Sequence, residues 1–311
     1  MPRILITGGA GFIGSSLAEK LAADKHNFII ITDDLSTGSM DKIPISRHSN
    51  VKFIKCNVNN WRDLSGVMYS QTFDYVFHYA AVVGVKRTLD NPVKVLSDLS
   101  GIRNLLYFAK NSGVKRVYLA SSSEVYGESV HFPQHEEATP LNSRLPYAIV
   151  KNASEAFVKA FYTEYGLEFT IFRFFNTYGP KQSRDFVVSR FIGWALSNHP
   201  IEIYGDGKQS RTFCFIDDNI DASLAAFNKN LFANEVVNIG GAEEVTILDL
   251  AKTTIRLTKS KSKIVHFPPL KDGDMTRRRP DLARMKKLLP RKPINLEDGI
   301  MKILNDTRYI L

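Results

Sequence analysis

The sequence predicts an α/β protein: a doubly wound parallel sheet followed by a smaller C-terminal lobe. Apolar, β-branched runs alternate with amphipathic helical patterns through the first half of the chain. The first run, Ile4 to Thr7, leads directly into a glycine turn and a helix. After Phe174 the alternation gives way to shorter elements between loops rich in Gly, Pro and Asn.

The glycine turn comes first. Gly9, Gly11 and Gly14 fit G-x-G-x-x-G, and Gly8, Gly11 and Gly14 fit a three-residue spacing. Glycine permits the turn and lets backbone N–H groups approach a pyrophosphate. Phe12 and Ile13 then open a helix whose N-terminus carries a favourable partial positive charge. The second strand, Phe28 to Thr32, ends at Asp33, 19 residues after Gly14. A carboxylate there can accept from both adenosine ribose hydroxyls, which favours NAD over NADP. A Rossmann-type sheet is therefore expected over residues 1–174, with residues 175–311 mainly a substrate lobe.

The remaining elements follow in order. Val51 to Ile54 is a short strand, and Asn57 and Val58 after it are placed to meet an adenine. Trp61 to Tyr69 reads as a helix, and Tyr75 to Tyr79 as a buried strand ending in Ala80 and Ala81. Small residues at that end leave room for a cofactor. Pro92 to Lys110 reads as one long amphipathic helix, stopped by Asn111 to Gly113. Arg116 to Ala120 is a strand that runs into Ser121, Ser122, Ser123 and Glu124. Tyr147 to Tyr165 is a long helix, and Phe169 to Phe174 a strand. Thr212 to Phe215 and Val236 to Ile239 are candidates to return to the main sheet.

Composition narrows the class. The chain has 311 residues, 44% of them hydrophobic, enough for a large core. There is no apolar run near the length of a membrane span and no secretory signal pattern at the N-terminus. The two cysteines, Cys56 and Cys214, lack metal-ligand spacing, so a cytoplasmic protein without a metal is expected. The net charge of +9 suits a nucleotide substrate or a lysine-rich solvated surface. Nucleic-acid binding through Arg277 to Arg279 is the competing use, but no aromatic platform interleaves those arginines.

Tyr147 and Lys151 stand four residues apart, on one face of a helix. An ammonium there is expected to lower the phenol's pKa. The phenol could then take a proton from a substrate hydroxyl as hydride leaves its carbon.

With these motifs in view, the chain resembles the extended short-chain dehydrogenase/reductase family, specifically its nucleotide-sugar epimerases, dehydratases and decarboxylases. The resemblance covers nearly the whole chain. It rests on Thr7 to Gly14, His78 to Ala81, Ser121 to Gly127, the Tyr147/Lys151 pair, Arg173 to Pro180, Gly205 to Arg211 with Phe215 to Asp218, and Arg278 to Asp281. It implies a bound NAD that oxidises a sugar at C4 and later returns the hydride. Tyr147 would be the base, assisted by Ser122, and Lys151 would hold the nicotinamide ribose. Asn176, Tyr204 and Arg211 would contact a nucleotide diphosphate, expected to be UDP-linked, and Lys86 and Ser123 the sugar side. Family members dimerise through the helices that correspond to Pro92–Lys110 and Tyr147–Tyr165, so a homodimer is expected.

Three outcomes branch from a 4-keto sugar: 4-epimerisation, 4,6-dehydration and, where C5 carries a carboxylate, decarboxylation. Glu124 resembles dehydratases and UDP-glucuronate decarboxylases, where many 4-epimerases have a small residue. Ser123, in place of an acid, disfavours the dTDP-glucose type of dehydratase and leaves the GDP-mannose type open. Arg144 and Arg278 resemble the decarboxylases, and a guanidinium fork suits a uronate carboxylate. Val82 to Arg87 looks more like a UDP-glucose 4-epimerase, and Asn152 and Ser122 also depart from the decarboxylase pattern. Decarboxylase is the first expectation, epimerase the second, and an NAD-binding regulator the non-enzymatic alternative. Bland roles are expected for Glu136, Glu137, Lys286 and Lys287 as solvated residues, and for His78 as a strand-end core residue.

Overall fold

A computed structural model of the protein describes residues 1–269 and 275–306. Seven strands form one parallel sheet: β1 (Arg3–Thr7), β2 (Phe28–Asp33), β3 (Val51–Lys55), β4 (Tyr75–His78), β5 (Arg116–Ser122), β6 (Glu168–Phe174) and β11 (Glu235–Ile239). Their spatial order is β11-β6-β5-β4-β1-β2-β3. The order reverses beside β1, which pairs with β2 on one side and β4 on the other. That reversal opens a crevice at the carboxyl ends of the strands, where ligands bind in such sheets.

Apart from the edge strand β3, the strands are largely buried on both faces, so they read as mostly apolar runs. Ile4, Ile6, Ile29 and Ile31 enter one core cluster, whereas Leu5 and Ile30 enter the other. This is the two-residue alternation of a strand. The first face is covered by α1 (Phe12–Ala22), whose Leu17, Ala18 and Leu21 are buried. The second is covered by α2 (Trp61–Ser70), α5 (Asp98–Asn111) and α6 (Pro146–Tyr165). Pro146 opens α6 and Gly166, at φ 70°, closes it in the left-handed conformation.

The segment expected as one helix from Pro92 to Lys110 is two, α4 (Pro92–Leu96) and α5, preceded by a short α3 (Val85–Asp90). Ser97 lies between α4 and α5, and its hydroxyl donates to the Lys94 carbonyl at 2.6 Å. Such back-bonding competes with the helical ladder. Asp98 then turns its carboxylate away, accepting from the Val82 amide at 2.7 Å and from Asn59 Nδ2 at 3.0 Å.

Beyond β6 the regular elements are short. In chain order they are β7 (Thr177–Tyr178), α7 (Val187–Leu196), β8 (Ile201–Tyr204), β9 (Ser210–Thr212), β10 (Cys214–Phe215), α8 (Ile216–Asn228), then β12 (Glu244–Thr246), α9 (Ile247–Thr258), β13 (Ile264–Phe267), α10 (Ala283–Leu288) and α11 (Leu296–Asn305). β11 returns to the main sheet beside β6, but Thr212–Phe215 does not. That stretch splits into β9, antiparallel to β12, and β10, parallel to β7. Among the described residues no helix is long and apolar enough to cross a membrane.

Candidate functional site

A cavity of about 610 Å³ opens over the carboxyl ends of the strands. The glycine turn forms its floor. Gly8 has φ 67°, and a Cβ there would lie 2.5 Å from the Ala80 amide nitrogen, so only glycine lets this turn meet the end of β4. A Cβ at Gly14 would lie 2.5 Å from the Gly8 carbonyl, so glycine also seats α1 on the turn. Gly11 lines the cavity, and a Cβ there would lie 3.1 Å from the Gly8 carbonyl oxygen. Asp33 accepts from the Ala10 amide at 3.0 Å and the Leu35 amide at 2.8 Å, while lining the same space. Burial nevertheless raises its carboxyl pKa, only partly offset by these amides. An open glycine cradle at a helix N-terminus, with an anchored carboxylate at the next strand end, fits a dinucleotide with free ribose hydroxyls.

Phe12, Ile13, Asn57, Val58, Ala80, Ala81, Ser122, Ser123, Glu124, Tyr147, Lys151, Asn176, Tyr204, Arg211 and Arg278 line this cavity too. The structure thus gathers residues from every part of the chain that the sequence singled out. Arg144 is not among them: it is exposed, in the loop before α6. The side chain of Lys86 lies outside the described residues.

Near the end of β5, the Ser122 hydroxyl accepts from the Glu124 amide at 3.2 Å and hydrogen-bonds the Tyr147 phenol. Lys151 Nζ donates to the Ala120 carbonyl at 2.7 Å and lies 5.8 Å from the centre of the Tyr147 ring. The expected lowering of the Tyr147 pKa is not what this arrangement produces. Burial drives the phenol well above its ordinary value, and the charges of Glu124 and Asp98 push the same way. The Ser122 bond and the Arg278 charge only partly offset this. Lys151 is itself pushed down to about 8 by burial, against the opposing pull of Asp98 and Glu155.

Glu124 and Arg278 form an ion pair at the cavity wall, with Arg278 Nη2 2.5 Å from Glu124 Oε1. Glu124 Oε2 and Arg278 Nε are both buried without a hydrogen-bond partner. Such orphaned polar atoms are costly unless something else meets them. Arg277 points elsewhere, forking onto Glu244 at 2.7 and 2.9 Å. Asn176, at φ 32°, donates from Nδ2 to the Thr212 carbonyl at 3.0 Å. Arg211 is buried beside it on the next segment and donates to the Ser210 carbonyl at 2.7 Å.

His78 is a buried strand-end residue 2.8 Å from Thr7 Oγ1, and burial lowers its pKa to about 3, so the ring is neutral. Glu136 departs from its expected solvated role. It is buried and accepts from the Asn238 amide at 2.9 Å, whereas Glu137 is exposed. No local pattern distinguishes the two adjacent acids; the difference comes from β11, a hundred residues away in sequence. Asp98 is a cavity residue the sequence reading passed over, because in sequence it looks like an ordinary acid in a helix first turn. Among the described residues, no cluster of three His, Cys, Asp or Glu side chains could hold a metal ion.

Comparison with known proteins agrees with this geometry. Residues 4–240 match the model of the NAD dependent epimerase/dehydratase family. The chain is 35% identical over 324 residues to UDP-N-acetyl-alpha-D-glucosaminuronate decarboxylase of Bacillus cytotoxicus, spanning 99% of this chain and 98% of that protein. It is 32% identical to UDP-glucuronate 4-epimerase of Thermodesulfobacterium geofontis, over 97% and 94% of the two chains. The crystal structure of UDP-glucuronic acid 4-epimerase from Bacillus cereus, in complex with UDP-glucuronic acid and NAD, superposes with a TM-score of 0.88 at 28% identity. That match covers 96% of this chain and 97% of the other. Decarboxylases and 4-epimerases are thus both similar to it over almost its full length. The chain is an NAD-dependent enzyme and belongs to the NAD-dependent epimerase/dehydratase family.

Proposed function

We propose that this enzyme decarboxylates a UDP-linked hexuronate through a transient 4-keto sugar. The observation that carries the reading is the buried Arg278–Glu124 pair on the cavity wall, each partner with one polar atom left over. Arg278 can turn its spare N–H toward an anionic group on the sugar, and a guanidinium meets a carboxylate in a planar fork. The names of the similar decarboxylases, which act on UDP-glucuronate and its N-acetylglucosamine analogue, support the same donor class.

When bound, NAD supplies the oxidation at C4 of the sugar and the reduction that closes the cycle. Gly8, Gly11, Gly14 and Asp33 would hold its pyrophosphate and adenosine ribose, and Lys151 the nicotinamide ribose. Asn57, Val58, Ala80 and Ala81 would line its path. Tyr147 would take the proton of the C4 hydroxyl, with Ser122 sharing the hydrogen bond. Burial holds the phenol protonated in the free enzyme, so Tyr147 can act as the base only after giving up that proton to solvent, which the positive charge of bound NAD would favour by stabilising the phenolate. The resulting β-keto acid loses carbon dioxide as the C5–C6 bond breaks and its electron pair enters the C4 carbonyl. C5 then takes a proton from solvent, and Tyr147 returns its proton to the C4 oxygen as C4 is reduced. Arg278 and Glu124 would hold the sugar end, and Asn176, Tyr204 and Arg211 the diphosphate and nucleoside.

The second reading is 4-epimerisation of the same donor. It is favoured by the wall formed by Val82, Val83 and Gly84, a weakly polar surface against which a keto-sugar could rotate. Incubation with UDP-glucuronate, UDP-N-acetylglucosaminuronate, UDP-glucose and UDP-N-acetylglucosamine separates the two. A product lighter by carbon dioxide from either uronate is expected, and an unchanged mass with a new sugar NMR spectrum would establish the epimerase instead.

We further infer a homodimer formed by α5 and α6. Tyr107, Ile149, Tyr162 and Tyr165 are exposed on these helices, and Lys110 Nζ sits over the rings of both Tyr107 and Tyr165. Large apolar side chains on adjacent helices support a partner surface.

A further inference from the structure

Arg278 lies on a short strap, Thr276 to Asp281, that crosses the cavity wall. What fixes the strap is not Arg278 itself. Gln134, fully buried, donates its main-chain N–H to the Arg279 carbonyl at 2.7 Å, and its main-chain carbonyl accepts from the Asp281 amide at 2.8 Å. The two hydrogen bonds bracket Pro280, so the strap is held like one more strand. Gln134 is in turn held from behind, because its carbonyl also accepts from Asn238 Nδ2 at 2.9 Å.

Asn238 has a second bond on its other side. Its Oδ1 accepts from the Tyr126 hydroxyl at 2.7 Å. Tyr126 ends the 3-10 turn, Ser123–Tyr126, that carries Glu124. The amide's orientation is fixed by chemistry, because a backbone carbonyl can only accept and so must meet the NH₂ end. The Asn238 side chain is wholly buried, and its main-chain N–H is bonded to Glu136. Two residues farther on, a Cβ at Gly240 would lie 2.8 Å from the Pro280 ring, so the end of β11 touches the strap directly as well.

The Tyr126 hydroxyl is anchored in its turn. It accepts from Arg173 Nη1 at 2.9 Å, and Arg173 forks onto Glu155 at 2.9 and 2.7 Å. Glu155 also accepts from the Ser121 hydroxyl at 2.5 Å, at the end of the strand that carries Ser122. The chain of bonds therefore runs from the strap that carries Arg278 to Ser121 in the cavity lining, with every side chain in it buried.

We infer that Asn238 is a positioning residue: through Tyr126 and Gln134 it sets the Glu124 turn and the Arg278 strap in register, so that the two charged groups meet at the sugar end of the cavity. This rests on the reading that Arg278 and Glu124 face the sugar. Asn238 does not line the cavity. Its amide bonds to both sides from inside the core, whereas the other link between the two segments, Thr276 to the Glu128 carboxylate, lies at the exposed surface; an apolar residue of similar size would fill the space without joining them. In a water-excluded interior, loss of either bond would leave the Gln134 carbonyl or the Tyr126 hydroxyl with fewer partners and free to shift.

The test is a mutant cycle on the NAD-loaded enzyme with Asn238→Ala, Arg278→Ala and the double variant, using whichever UDP-sugar the wild type turns over. Asn238→Ala is expected to lower kcat/KM on the order of tenfold to a hundredfold, as small misplacements of binding groups do. In the Arg278→Ala background the same change is expected to cost less than about twofold, because its effect passes through Arg278. Effects that multiply, or an Asn238→Ala variant within about twofold of wild type, would overturn the inference. Should Asn238→Ala fail to fold by circular dichroism, Tyr126→Phe takes its place in the cycle with the same expectation. A crystal structure of the folded variant is the second readout: the Arg278–Glu124 pair is expected to be broken or displaced, and an unmoved pair would overturn the inference. If Arg278→Ala leaves turnover unchanged on every sugar, the reading of the site fails, and the crystal structure still decides whether Asn238 holds the strap.

Discussion

At the scale of single residues, the proposed chemistry rests on Tyr147 and Lys151. In the free enzyme the phenol is held protonated by burial and by two nearby acids, and Lys151 is held near its titration point. Tyr147→Phe is expected to lower turnover by about 10²–10⁴-fold while leaving thermal stability and NAD binding close to wild type. A variant with full activity would remove Tyr147 from the mechanism. Lys151 gives a pH signature. Its pKa is lowered from 10.5 to about 8, so the ammonium form is lost as pH rises through about 8. If that ammonium holds the cofactor ribose, kcat/KM should fall on the alkaline side from about pH 8, and a profile flat to pH 10 would contradict it. The stability sign is opposite. Between about 8 and 10.5 the unfolded chain binds a proton that the folded chain does not. The penalty for burying Lys151 is therefore full below that window and fades as pH rises through it.

At the scale of elements, the buried Glu155–Arg173 pair ties α6 to β6, and Ser121 joins β5 to the same carboxylate. Glu155→Gln would leave Arg173 charged inside the core with half its fork. A loss of about 3–5 kcal/mol is expected, as for other broken buried pairs, measured by urea unfolding. A loss below about 1 kcal/mol would mean that the pair behaves like an exposed one. The elements also show what a sequence can carry. The strands β1, β2 and β4 to β6 were legible because burial on both faces leaves apolar runs, and the glycine turn because Gly8 and Gly14 each answer a local steric demand. The break between α4 and α5 was not, since it depends on Ser97 back-bonding and on Asp98 reaching loops far away in sequence. Glu136 was misread for the same reason: its partner lies on β11. Cavity residues announced by motifs, such as Ser122, Glu124, Tyr147, Asn176 and Arg278, were named in advance. Asp98, which no motif marks, became visible only when the chain was folded.

For the molecule as a whole, the fold brings the dinucleotide cradle and the Glu124–Arg278 pair into the lining of one cavity. A sugar held between them would present its C4 to Tyr147. The exposed aromatic side chains of α5 and α6 lie on the outside, away from the cavity wall. Light scattering after size exclusion should give twice the chain mass of 35.1 kDa. Tyr162→Glu, which sets a charge into the exposed apolar surface, should shift the population toward monomer. A wild-type protein that stays monomeric at micromolar concentration would exclude this dimer. The central claim concerns the fate of the sugar. UDP-glucuronate labelled with ¹³C at C6, incubated with the NAD-loaded enzyme, should release labelled carbon dioxide and leave an unlabelled UDP-pentose. A UDP-sugar that keeps the label at unchanged mass, with inverted C4, would contradict the account.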